Sequence, residues 1–126
     1  IFSASLPPAS TASVLEAVKI MKAEPERIAK LWDNTNYMLS EFKAMGYNTG
    51  ESCTPVIPLH VGDMNMAFQM WHRLGEEGVF INPVVPPAVP PKQCLIRTSF
   101  MATHSLAQLS QALDKFRTIG KELGVI

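Results

Sequence analysis

The chain has 126 residues, 47% of them hydrophobic, which suits one domain of ordinary size with a real core. Lysine plus arginine equals aspartate plus glutamate at 11 each, with no basic run and no Lys/Arg–aromatic interleaving, so nothing in it steers nucleic acid or an anionic membrane. No apolar run reaches the roughly 18 residues of a membrane span, and no signal peptide is legible. Cys53 and Cys94 lack any CxxC or Cys/His context for zinc. They read as buried free thiols of a cytoplasmic protein. The first residue is Ile1 rather than Met, which reads as a piece cut from something longer.

In chain order, residues 1–8 (IFSASLPP) are extended and end in two prolines, either of which can open a helix. That helix is expected to run to about Ala23, with Val14, Ala17, Val18 and Met21 on one face. Pro25 opens a second helix. Ile28, Leu31, Trp32, Thr35, Met38, Leu39 and Phe42 recur along it at helical spacing, and Gly46 stops it. Residues 47–52 are expected to be a polar turn.

Residues 53–61 (CTPVIPLHV) read as a strand, and Pro55 and Pro58 make it an edge strand. Asp63 is placed to N-cap the next helix, whose buried stripe is read as Ala67, Met70, Trp71 and Leu74. Gly75 and Gly78 end it. Residues 79–81 are expected to form a short strand. Residues 82–91 (NPVVPPAVPP) hold five prolines and read as an extended loop. Residues 94–100 (CLIRTSF) are another strand. Ser105 and Gln108 make a capping box for a last helix carrying Leu106, Leu109, Leu113, Phe116 and Ile119. The order implies an α+β fold: a small antiparallel or mixed sheet of about three strands, covered on one face by helices.

The search for a self-sufficient active site finds none. There is no Gly-rich phosphate loop, and His60, His72 and His104 lack metal spacing. His60 reads as a half-buried strand residue, His72 as solvated, and Asp63 as a cap rather than a base. One polar residue stands out. Arg97 interrupts an apolar strand, and a buried guanidinium needs an anionic partner. Its planar fork suits a carboxylate. The residues by themselves leave this open against an arginine on a solvated strand face.

Three segments then converge. IFSASLPPA resembles an F-S/T-x-S-L-P-P segment, LIRTSFMATHS a later L-x-R-x-S/T…A-x-H-T segment, and VGDMNMAFQMWHRLGEEGVFINPVVPPAVP the stretch between them. All three are similar to the α-oxoamine synthases. These are fold-type I pyridoxal-phosphate (PLP) enzymes that join an amino acid to an acyl-CoA. The resemblance runs over essentially the whole chain. It implies that residues 1–23 end the large domain and connect onward, and that 24–126 form the C-terminal small domain. It implies a parent transferase that works as a homodimer on amino-acid and acyl-CoA substrates and yields an α-amino ketone, CoA and CO2.

For single residues, the resemblance puts Arg97 on the arginine that binds the substrate α-carboxylate. It puts Ser3 and Ser5 on the segment that reaches the PLP phosphate of the neighbouring subunit. His104 falls on a late histidine, read here as a helix-start residue. The Schiff-base lysine of the family lies upstream of the FSxSLPP segment, and no lysine here matches it. The chain by itself is therefore expected to be inactive and to bind no PLP covalently. Within the family, NPVVPPAVPP and LIRTSFMATHS point to serine palmitoyltransferase or 8-amino-7-oxononanoate synthase. The tail KFRTIGKELGVI points to glycine C-acetyltransferase as the alternative. Some bacterial serine palmitoyltransferases carry a second arginine in the proline loop, where this chain has Val85, which puts a two-arginine arrangement in doubt. An alternative of another class is a non-catalytic α+β interaction module with Arg97 solvated.

Overall fold

The structure, a computed structural model, describes residues 4–126. Along those residues run α1 (Pro8–Ala23), α2 (Glu26–Met45), β1 (Val56–Gly62), α3 (Met64–Glu76), β2 (Asn82–Val84), β3 (Cys94–Ser99) and α4 (Leu106–Glu122). The strands form one antiparallel sheet in the order β1-β3-β2. This is an α+β domain with helices packed on one face of a small sheet.

Helices α3 and α4 begin where side chains supply acceptors for unpaired N–H groups. Asp63 accepts from the Met66 amide at 2.9 Å to start α3. Ser105 and Gln108 form a reciprocal capping box at the start of α4. Pro8 opens α1, where a missing N–H costs no helical bond. Gly46 ends α2 at φ 99°, a conformation that a side chain would strain.

The core is continuous from α2 through α4 and α3 to the sheet. Phe42, Tyr47 and Phe116 stack edge to face with centroids 5.0–6.2 Å apart. Ile57, Leu59, Cys94 and Ile96 join them from the sheet, and Ala67, Met70 and Leu74 from α3. Residues 47–52 are not merely a polar turn, because Tyr47 and Thr49 are buried. The Tyr47 hydroxyl donates to the Phe116 carbonyl at 2.7 Å. That approach requires Gly120: a methyl there would lie 2.9 Å from Tyr47 Cζ and closer still to its oxygen. Burial pushes the phenol pKa well above its ordinary value.

Several other expectations are corrected. The second strand lies at Asn82–Val84, inside the proline stretch, and not at 79–81. Pro83 is tolerated because β2 is an edge strand, with no neighbour beyond it to need its missing N–H. β1 starts at Val56, three residues later than expected, after a hydroxyl-rich turn in which Ser52 and Thr54 both donate to the Val56 carbonyl. Cys53 lies in that turn and is exposed; only Cys94 is buried. Trp71 is not part of the buried stripe of α3. It packs against Phe68 on the outer face of the helix. Leu106, in the first turn of α4, is exposed as well.

Asn34 is a buried polar residue that periodicity does not mark. Its Nδ2 donates to the Met101 and His104 carbonyls at 2.9 and 3.0 Å. It thereby ties α2 to the turn between β3 and α4. His104 completes the turn by accepting from the Met101 amide through Nδ1.

Candidate functional site

Side chains alternate along a strand, so β3 divides its residues between two faces. Cys94, Ile96 and Thr98 point into the core and are buried. Leu95, Arg97 and Ser99 point to the opposite, open face. The antiparallel register then assigns their neighbours, because directly paired residues share a face. Arg97 stands between Pro58 of β1 and Asn82 of β2. Leu95 stands between His60 and Val84, and Ser99 lies beside Val56.

Arg97 is thus the central residue of the open face. It is exposed, and its guanidinium has no hydrogen bond or ion pair among the described residues. Within this chain, of the two readings left open above, Arg97 lies on the exposed strand face. The apolar residues flanking Arg97 in sequence cover the other face or its edges, and they do not enclose the guanidinium. The other arginines differ: Arg27, Arg73 and Arg117 are paired with Glu24, Glu122 and Asp114. Arg97 is therefore left available for an anion from outside the described chain.

The remaining expected site residues are scattered. Ser3 lies outside the described residues. Ser5 is exposed just ahead of α1. His60 is half-buried on the open face, and His72 is solvated 3.5 Å from Glu76. Among the described residues, no group of three His, Cys, Asp or Glu side chains could hold a metal ion. None of the helices of those residues is long and apolar enough to cross a membrane.

A groove of about 460 Å³ lies elsewhere, between α4 and residues 78–81, and Arg97 does not line it. Lys115 and Glu77 bridge its rim at 2.6 Å, and the hydrogen bond and charge of Lys115 hold the Glu77 carboxyl below the ordinary carboxylate range.

Comparison with known proteins gives a consistent result. The family model for aminotransferase class I and II matches residues 1–116. Serine palmitoyltransferase of Bacteroides ovatus is 45% identical over all 126 residues, and 8-amino-7-oxononanoate synthase of Thermosipho melanesiensis is 43% identical over the same span. The chain spans about a third of the length of each of these relatives. A serine palmitoyltransferase variant from S. paucimobilis, solved with a bound PLP–myriocin aldimine, superposes over the whole chain and 32% of its own, with a TM-score of 0.92 and 33% identity. 8-Amino-7-oxononanoate synthase of Francisella tularensis covers 99% of this chain and 36% of its own at a TM-score of 0.78. Its identity is 21%, so it speaks for the fold alone.

Proposed function

Since the chain belongs to the aminotransferase class I and II family, we propose that it is the small domain of a PLP-dependent acyltransferase in which Arg97 grips the substrate carboxylate. The parent condenses an amino acid with an acyl-CoA to give an α-amino ketone, CoA and CO2. It is of the serine palmitoyltransferase or 8-amino-7-oxononanoate synthase type. Relatives bearing both names align over the full chain at similar identity. Glycine C-acetyltransferase, favoured by the tail, is the alternative.

The single observation that carries this reading is the placement of Arg97. A guanidinium stands at the centre of an open sheet face, with its fork uncommitted among the described residues. Such a fork takes a carboxylate in two parallel charge-assisted hydrogen bonds. Holding the carboxylate at both oxygens fixes the substrate's rotation about the bond to its α-carbon, which places the reacting bonds.

The residues present fit the substrate side of a PLP site. The open face of the strands carries Arg97 but no lysine, so the covalent anchor belongs to another part of the polypeptide. When bound, PLP supplies an electron sink for the carbanion formed at the amino acid. Ser3 and Ser5 would hold its phosphate across the interface of a homodimer. Exposed Val14, Leu15, Val18 and Met21 support this layout, since α1 buries none of its residues within the chain. Residues 1–23 then belong to the large domain and its connection, and 24–126 to the small domain. The enzyme works in the cytoplasm.

Arg97→Ala in the full-length protein is the test. Once the site closes and dries around the ion pair, truncation costs about 2–5 kcal/mol of amino-acid affinity. The KM for acyl-CoA should hardly move. Amino-acid affinity equal to that of the parent would remove the carboxylate role.

A further inference from the structure

The strand register brings a second polar side chain to Arg97. Asn82 of β2 is its direct cross-strand partner, so their Cβ atoms stand roughly 5 Å apart on one face. Asn82 is exposed, and its amide has no hydrogen-bond partner among the described residues. On the other flank Arg97 faces Pro58, whose ring offers no polar group. The guanidinium therefore rises between an apolar wall and a free amide.

A carboxylate has about four acceptor positions, and a bidentate arginine fills two of them. The others need donors once the site excludes water. A neutral amide next to the arginine supplies one without altering the charge of the site. A carboxylate in its place would instead pair with Arg97 and compete with the ligand.

We infer that Asn82 is a second recognition residue for the carboxylate of the amino-acid substrate, its Nδ2 donating to an oxygen that Arg97 holds. This rests on the role of Arg97 proposed above. The ligand class is an α-amino acid presented with its carboxylate over the Asn82–Arg97 pair. Asn82 thereby limits the swing of the carboxylate toward β2, while Pro58 closes the side toward β1.

The test compares Asn82→Ala, Asn82→Asp and Arg97→Ala in the full-length, cofactor-loaded protein. Amino-acid Kd is read by calorimetry, and KM and kcat for both substrates by steady-state kinetics. Asn82→Ala should raise the amino-acid Kd and KM about tenfold to a hundredfold, the worth of one hydrogen bond to a charged group. The KM for acyl-CoA should stay unchanged. Asn82→Asp should bind the amino acid more weakly than Asn82→Ala, although it is the closer isostere, because the new carboxylate occupies the guanidinium. A purely structural asparagine would give the opposite order. If Arg97→Ala weakens binding while both Asn82 variants bind like the parent, Asn82 has no such role and the reading of Arg97 survives. If Arg97→Ala binds like the parent, both ideas fall.

Discussion

The two faces of β3 are built from alternate residues of one six-residue strand, yet they obey different rules. On the covered face Ile96 is fully buried between Leu59 and Pro83, and Thr98 donates to the Ile57 carbonyl at 2.8 Å. The buried hydroxyl of that face thus has its partner, as a dry interior demands. On the open face Arg97 and Asn82 stand side by side with none among the described residues. The covered face is finished within the chain. The open face is chemically incomplete, and its hydrogen-bonding capacity is what a ligand would complete.

That division is sharpest in the stability it predicts. Ile96→Ala should cost about 2–5 kcal/mol, from lost burial and the cavity left behind. Arg97→Ala, one residue away, should stay within about 0.5 kcal/mol, because it breaks no hydrogen bond or ion pair among the described residues. Chemical denaturation of the pair checks this, and comparable losses would mean that the open face is load-carrying after all.

A smaller effect tests how closely the covered side is packed. Gly120→Ala pushes a methyl into the Tyr47 ring and should cost about 1–3 kcal/mol. Adding Tyr47→Phe removes the nearest atom, so the double variant should lose less than the sum of the two singles. Strict additivity would argue against the collision.

The smallest effect belongs to the groove rim. The Glu77 pKa is lowered in the folded state, so its pairing with Lys115 favours folding at neutral pH. That contribution fades as pH falls from the ordinary carboxylate value through the lower folded one. Lys115→Met should return the Glu77 titration, followed by NMR, toward its ordinary midpoint. An unmoved midpoint would show that the ion pair is not formed in solution.

Much of the fold could be read from local pattern. The helices and their caps follow from Asp63, the Ser105–Gln108 pair, Pro8 and Gly46, because capping chemistry acts within one turn. β1 as an edge strand follows from its prolines. The misplaced β2 shows the limit of composition. Five prolines in ten residues say loop, but an edge strand needs pairing on only one side, and the stretch can supply three residues of it. Trp71 fell on the wrong face because a helix carrying Met64, Phe68 and Trp71 outside as well as Ala67, Met70 and Leu74 inside has two apolar stripes. Periodicity does not say which one meets the sheet. Of the site, Arg97 was legible as an oddity within its strand. Asn82 was not, since it lies 15 residues away, and only the β2–β3 register brings it alongside.

The sequence by itself determined the helices, the edge character of β1, the chemistry available at Arg97 and the family, because each depends on neighbours along the chain or on a run of residues in fixed order. Only the tertiary structure decided that Arg97 is exposed rather than enclosed, that Asn82 and Pro58 flank it, and that Gly120 must yield space to Tyr47. Those outcomes depend on which strand face the helices cover and on the register between strands. Both are set by burying apolar surface across long stretches of chain, a property that no local pattern encodes.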